Sequence, residues 1–311
     1  MSKDQMFVKV VAASTPMPWL SQAPSIFTIH ARYPRIIHGE IMTHRVFSRN
    51  ARSSRAVPVA TMLKEIRETP FVPWHWGKNQ KGMQASEEWT GKVFMPGPDG
   101  GYSLHREEAW RIAAHQAADM AEAFAEAGYH KQVANRLIEP FSWIDTLITS
   151  TDWANFLHLR DHEAAEPHFQ DLARMIRDAI KNTPVRGLNP GEWHLPYVTR
   201  EERDTLPLDI CQKLSVARCA RISYAPFDGD ASIEKELERY DMLVGSSPLH
   251  ASPAEHQATP DTGATCVDAS RGPASRKSFW QWDNPSLAGN LGPGWIQYRK
   301  TLPGEYVREA A

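Results

Sequence analysis

Between Thr43 and Arg55 the chain reads Thr-His-Arg-Val-Phe-Ser-Arg-Asn-Ala-Arg-Ser-Ser-Arg, with four arginines, three serines and only two bulky apolar residues, Val46 and Phe47. Such a segment has little to bury, so whatever fold the chain adopts must present it at a surface or a site. Arg offers a planar fork of donors that matches phosphate and carboxylate oxygens. Ser and Asn add short, adjustable hydrogen bonds. The segment is read as a loop that grips an anion; a solvated basic loop is the plain alternative. The flanks favour the first reading. A β-type run, Ile26 to Tyr33, leads through Pro34, and Ile36 to Met42 delivers the chain into the stretch. Rigid elements that present a polar loop are how sites are usually built.

The 311 residues carry a formal net charge of -2, which argues against a polymeric nucleic-acid partner while allowing local basic loops for a small phosphate ligand. Three cysteines, Cys211, Cys219 and Cys266, form no Cys-x-x-Cys pair, which points away from a disulfide framework or zinc site and toward a reducing, cytoplasmic compartment. The N-terminus lacks the apolar run of a signal peptide, and no window approaches a membrane span.

Along the chain, residues 6–12 and 26–33 read as strands. Residues 36–47 read as a helix, since Ile37, Ile41 and Met42 share a helical face. Residues 57–100 form an irregular excursion rich in Pro and Trp, with a short helix over 62–67; His75 between Trp74 and Trp76 either contacts a ligand or packs the loop. Residues 104–127 are the clearest helix, with Trp110, Ala113, Ala117, Met120 and Phe124 as its apolar stripe and Gly128 as its stop. A strand over 146–151 precedes a helix over 153–159 capped by Asp152. A second helix follows, with Phe169, Leu172, Ala173, Ile176 and Ile180 on one face. Residues 182–209 read as a Pro-rich connector over the surface, with Trp193 and His194 within it. A helix from Ser232 carries Leu237, Tyr240 and Val244, residues 261–280 read as loop, and 295–300 as a last strand. His162, Glu163 and His168 do not form a metal site, because two ligating histidines on one helical face need positions i and i+4 and here Pro167 intervenes. No Ser has a His–acid pair by any motif.

Four blocks resemble flavin-dependent thymidylate synthases (ThyX). The first is Thr43-His44-Arg45, a spacer, then Ser53-Ser54-Arg55, similar to the family's Arg-His-Arg…Ser-x-Arg signature. The second runs from Arg136 before Pro140 to the turn Asn155-Phe156-Leu157-His158-Leu159-Arg160, then Ala165 to Gln170 opening a helix. The third is Ser215 to Tyr224. The fourth, Ser247 to His256, is similar to the family's His-x-(Ser/Thr)-Pro-x-Glu-His block, which ordinarily precedes the signature. Its position here implies a circular permutation, an arrangement similar to that of some bacteriophage members; permutation is tolerated where termini lie close together.

The resemblance implies an α/β fold in one domain over 1–311, with a mixed sheet flanked by long helices; residues 57–100 and 261–311 fall outside the matched blocks. It implies methylation of dUMP with methylenetetrahydrofolate as carbon donor, FAD as hydride carrier and NADPH as reductant, in a homotetramer with shared sites. The cofactor carries the hard chemistry. By the same resemblance His44, Arg45, His158, Arg160, His250 and Ser252 lie near FAD. Ser53, Ser54, Arg55 and Arg136 hold the nucleotide, and Gln170 faces the pyrimidine, so that Gln170, Ser53 and Arg55 are the catalytic set. Structural ion pairing is the alternative for Arg45, Arg55 and Arg160. The departures are Thr43 for the first Arg, Ala51 for an acidic residue, Glu40 for Gln, His158 for Asn, and Gln170 for the Arg that would face uracil. A neutral amide donates and accepts, which motivates a dCMP-methylating or hydroxymethylating alternative. A non-catalytic nucleotide-binding homologue is the third reading.

Overall fold

The structure, a computed structural model, describes residues 3–85, 87–98, 100–222, 231–267 and 278–306. Ser223 and Tyr224 of the third block therefore lie outside the described residues. The elements are β1 (Phe7–Pro16), β2 (Ile26–Pro34), α1 (His38–Ile41), β3 (Ser48–Ala51), α2 (Val59–Glu68), β4 (Val93–Met95), β5 (Tyr102–Leu104), α3 (Arg106–Glu126) and α4 (Lys131–Ala134). There follow β6 (Trp143–Ser150), α5 (Ala154–Arg160), α6 (Pro167–Lys181), β7 (Arg186–Leu188), α7 (Arg200–Thr205), α8 (Leu208–Ala220) and α9 (Ile233–Val244). The last strands are β8 (Ala258–Pro260), β9 (Gly263–Val267), β10 (Ser278–Trp282) and β11 (Trp295–Gln297).

The central sheet has the order β3-β6-β2-β1-β7. The β1–β2, β2–β6 and β6–β3 pairs are antiparallel and β1–β7 is parallel, so the sheet is mixed, in an α/β chain as expected. Ile29 opposes Ile148 and Tyr33 opposes Ile144; with Phe27 and Ala31 they meet Phe169, Leu172, Ala173 and Ile176 of α6 in the main core. That α6 stripe is the one its 3.6-residue period requires. On the opposite face Thr28 pairs with Thr149, and their hydroxyls are 2.6 Å apart. His194 Nε2 lies 2.8 Å from Thr28 Oγ1, Ser14 Oγ lies 2.9 Å from His194 Nδ1, and His256 Nδ1 lies 2.8 Å from Thr149 Oγ1. This buried polar row fastens residues 194 and 256 to the centre of the sheet, where an unpaired polar group would be costly.

Several expectations are corrected. The Thr43–Arg55 stretch is not all loop: Ser48–Ala51 form β3, an edge strand that the polar composition hides. The helix expected over 36–47 is confined to a 3-10 turn and α1. Helix α3 buries Ala114, Ala118 and Ala121, while Met120 is exposed; small side chains let the helix sit close to α2 and the 3-10 turn 135–141. Trp153, not Asp152, occupies the N-cap of α5, without a side-chain cap bond. Residues 182–209 are no surface connector: β7 joins the sheet and His194 is fully buried. Residues 263–267 and 278–282 pair as a hairpin, and the last strand ends at Gln297 in a 3-10 turn. Among the described residues, no helix is long and apolar enough to cross a membrane, and no group of three or more His, Cys, Asp or Glu is placed to hold a metal.

Candidate functional site

Two clefts flank the Thr43–Arg55 stretch. The first, of about 270 Å³, is lined by His38, Met42, Arg49, Asn50, Ala51, Ser53, Arg55, His250 and Ser252. The second, of about 330 Å³, is lined by residues that include Thr43, His44, Arg45, Asn155 and Arg160.

Edge strand β3 builds the first cleft because its side chains tie down chain that is remote in sequence. Asn50 Nδ2 donates to the Cys219 carbonyl at 2.8 Å. Ser48 Oγ donates to Asn290 Oδ1 at 2.6 Å, and Gln297 Nε2 reaches Ser48 Oγ, Asn290 Oδ1 and the Glu255 carbonyl at 3.0, 2.8 and 3.0 Å. Glu255 is in turn paired with Arg299. This lattice fixes the turn that carries His250 and Ser252 beside β3.

The loop after β3 is held equally firmly. Asn135 Nδ2 donates to the carbonyls of Ser54 and Val57 at 2.7 and 3.0 Å, and Lys131 Nζ donates to the Ala56 carbonyl at 3.0 Å. Ser54 Oγ donates to Glu139 Oε1 at 2.6 Å, and the same carboxylate pairs with Arg35 at 2.9 Å. Ser54 is thereby consumed by the scaffold, whereas Ser53 and Arg55 line the cleft.

The four arginines divide in two. Arg49 Nη1 donates to the carbonyls of Ile41, Met42 and His44 at 3.1, 3.0 and 2.8 Å, closing the end of α1, and burial holds its pKa below the usual value. Arg52 makes a two-pronged bond to Glu65, at 3.1 and 2.8 Å. Arg45 and Arg55 are exposed, and no carboxylate pairs with either among the described residues. An unpaired guanidinium at each cleft is the arrangement that favours an anionic guest.

In the second cleft His44 is a wall rather than an open base. Its ring lies 5.0 Å from Phe156 and 5.5 Å from Phe47, centroid to centroid. Burial, reinforced by Arg160 and Arg49, pushes its pKa down to about 4. The neutral ring accepts from Arg160 Nε at 3.1 Å, while Arg160 Nη1 and Nη2 donate to Glu40 Oε2 at 3.1 Å and Thr43 Oγ1 at 3.4 Å. The guanidinium also sits 4.8 Å over the Phe169 ring. Every nitrogen of Arg160 is engaged, so this Arg carries the ion pairing weighed above and orients Glu40 and Thr43. Burial raises the Glu40 pKa against the opposing pull of Arg160.

The sites inferred from the sequence thus fall into three places. Ser53, Arg55, His250 and Ser252 share the first cleft, and His44, Arg45 and Arg160 the second. Gln170 on the first turn of α6, exposed His158 on α5, and Arg136, which pairs with Glu139 at 3.3 Å, line neither. The sequence reading missed His38 and Arg49 as lining residues. Tyr33 places His38: the phenol lies 2.9 Å from His38 Nδ1 and 2.7 Å from Thr146 Oγ1. Burial first, then Arg35 and Arg49, lower the His38 pKa to about 4, so the cleft holds a neutral imidazole at pH 7. No sequence signal beyond its place in the run before Thr43 marks it.

Comparison with known proteins yields no matching family model and no matching curated protein. Among solved structures the chain is similar to flavin-dependent thymidylate synthase ThyX from Helicobacter pylori complexed with FAD and dUMP: 20% identity over 50% of this chain and 67% of that one, with a TM-score of 0.32. A second Helicobacter pylori ThyX structure with FAD and dUMP gives 19% identity, the same coverage and the same TM-score. Similarity at that level does not carry an assignment of fold or function.

Proposed function

We propose that the chain is a flavin-dependent thymidylate synthase-type enzyme, with the family's blocks in permuted order, that methylates dUMP using methylenetetrahydrofolate and NADPH. One observation supports this above all: the blocks that resemble the family meet around β3 although they are scattered along the chain. Asn50 binds Cys219 of the third block, Ser53 and Arg55 share a cleft with His250 and Ser252 of the fourth, and Asn135, next to Arg136 of the second, holds the Ser54 carbonyl.

The donor set of the first cleft fits a phosphate. Arg55 brings an uncommitted charge, Ser53 and Ser252 bring hydroxyls, and His38 brings a neutral ring nitrogen. Its 270 Å³ holds part of FAD or a nucleotide, not the whole cofactor, so the rest of FAD would extend beyond it. FAD, when bound, supplies the redox chemistry; this chain's residues neutralise phosphate, orient rings and exclude water. In a homotetramer with shared sites, Gln170 and Arg136 of one copy would meet a nucleotide held mainly by another, consistent with their lining neither cleft.

A second reading rests on Gln170. Its neutral amide reads a ring edge by donating and accepting, which suits cytosine as well as uracil, so dCMP methylation or hydroxymethylation is the alternative. Mass analysis of nucleotides after incubation with FAD, NADPH, methylenetetrahydrofolate and either dUMP or dCMP separates the two. Conversion of dUMP to dTMP is the expected result. A product from dCMP alone moves the assignment to the second reading, and no product from either contradicts both.

A further inference from the structure

Residues 73–77 and 89–93 and helix α3 enclose a third cleft, of about 400 Å³, that shares no lining residue with the other two. We propose that it is a binding site for a free small molecule with a planar aromatic ring and an acidic substituent. The proposal goes beyond the function above and does not depend on it.

The walls set the ring. Trp76, Trp89 and Trp110 line the cleft together with Ile36, Pro73 and Val93. The Trp76 and Trp110 rings meet edge to face, with centroids 5.9 Å apart at 84°. Trp110 Nε1 donates to the Phe71 carbonyl at 2.7 Å and its ring packs edge to face on Phe71 and Phe141, so this wall is rigid. Trp89 is 55% exposed, so much of its indole is open to a guest. A Cβ at Gly91 would lie 2.3 Å from the Trp89 indole nitrogen, so the backbone passes close against this ring. The volume falls in the ordinary range for small-molecule sites.

The charges set the substituent. Electron-rich indole faces attract cations, but the chain already supplies them: Arg106 lies 5.5 Å over Trp76 and Lys78 lies 5.9 Å over Trp89. The nearby carboxylates are spent as well. Glu88 is paired with His75 at 3.2 Å and Arg106 at 3.6 Å, Glu107 with Arg106 at 2.9 Å, and Glu87 with Lys78 at 2.9 Å. Lys92 remains, an exposed ammonium on the lining with no carboxylate partner among the described residues. Among the described residues the lining itself holds no carboxylate, so an acid can pair with Lys92 while a cationic guest finds no partner on the walls. A single spare ammonium is too little for a nucleic-acid strand, which needs a track of them.

Calorimetric titration of the full chain with three probes tests this: naphthalene-2-sulfonate (planar anion), 2-naphthylmethylammonium (planar cation) and cyclohexanesulfonate (non-planar anion). Naphthalene-2-sulfonate should bind, and the other two at least about tenfold more weakly. Trp89→Ala and Lys92→Glu should each weaken naphthalene-2-sulfonate about tenfold or more, as loss of a stacking or charged contact does. Lys92 is exposed and unpaired, so Lys92→Glu leaves the packing intact and tests the idea even where Trp89→Ala unfolds. Equal binding of the ammonium probe, indifference to Lys92→Glu, or no heat with naphthalene-2-sulfonate at about 1 mM would overturn the proposal.

Discussion

Asn50 donates from Nδ2 to the carbonyl of Cys219 at 2.8 Å across 169 residues of sequence. Both groups are buried, Asn50 on the edge strand and Cys219 at the end of α8. Replacing Asn50 with Ala leaves that carbonyl without its partner. The expected cost is about 1–3 kcal/mol, read as a lower midpoint in urea unfolding. Flavin affinity should fall with it, because β3 carries the first cleft. An Asn50→Ala chain with unchanged midpoint would show that the contact is dispensable.

Arg55 and Arg52 should separate binding from stability. Arg55 is exposed and unpaired among the described residues, so Arg55→Ala should move stability by no more than about 0.5 kcal/mol while weakening nucleotide binding by about ten- to a hundredfold. Arg52 is committed to Glu65. Arg52→Ala should lower stability by about 1 kcal/mol and leave nucleotide affinity nearly unchanged. Parallel urea melts and dUMP titrations of the two variants check the contrast.

Acid should destabilise the fold in a defined window. Burial holds His194 and His256 near a pKa of about 3, against an ordinary value of 6.5. Between those values the unfolded chain binds protons that the folded chain refuses, so stability is complete above about pH 6.5 and is lost as pH falls toward 3. Each histidine contributes a slope of about 1.4 kcal/mol per pH unit inside the window. Urea unfolding at a series of pH values should show this slope, and His256→Gln should reduce it. His38 and His44, held near 4, add to the slope in the same window, so a flat profile between pH 6.5 and 4.5 would contradict the burial of all four.

Glu139 holds the loop that carries Ser53 and Arg55, through Ser54 and Arg35. Glu139→Gln keeps the shape and removes the charge. It should cost about 1–3 kcal/mol, since an Arg loses its partner in a half-buried setting, and should raise the dissociation constant for dUMP more than the stability loss explains. Parallel urea melts and dUMP titrations of Glu139→Gln separate the two effects.

The parts of the fold legible in the sequence are those with a clean period. Strands β1, β2 and β6 and helices α6 and α9 follow from alternation or from a 3.6-residue stripe. Helix α3 was legible in extent but not in orientation, because its buried face is made of Ala114, Ala118 and Ala121 rather than its largest apolar residues. Strand β3 was hidden by its composition: Ser48, Arg49, Asn50 and Ala51 form an edge whose side chains bond to remote segments instead of burying apolar surface. Strand β7 is three residues long in a Pro-rich segment, and only its parallel partner β1 makes it a strand. The basic stretch and its flanking elements were legible as a candidate site, but which arginines remain open was not. That depends on Glu65 and on the carbonyls of α1, which no local pattern connects to Arg52 and Arg49.

The most direct test is the visible absorbance of the purified chain with FAD, titrated with dUMP and separately with dCMP. The account predicts a bound-flavin spectrum that dUMP perturbs, with the perturbation lost in Arg55→Ala. No bound flavin under any condition would contradict it and leave the clefts around Arg45 and Arg55 without the chemistry proposed for them.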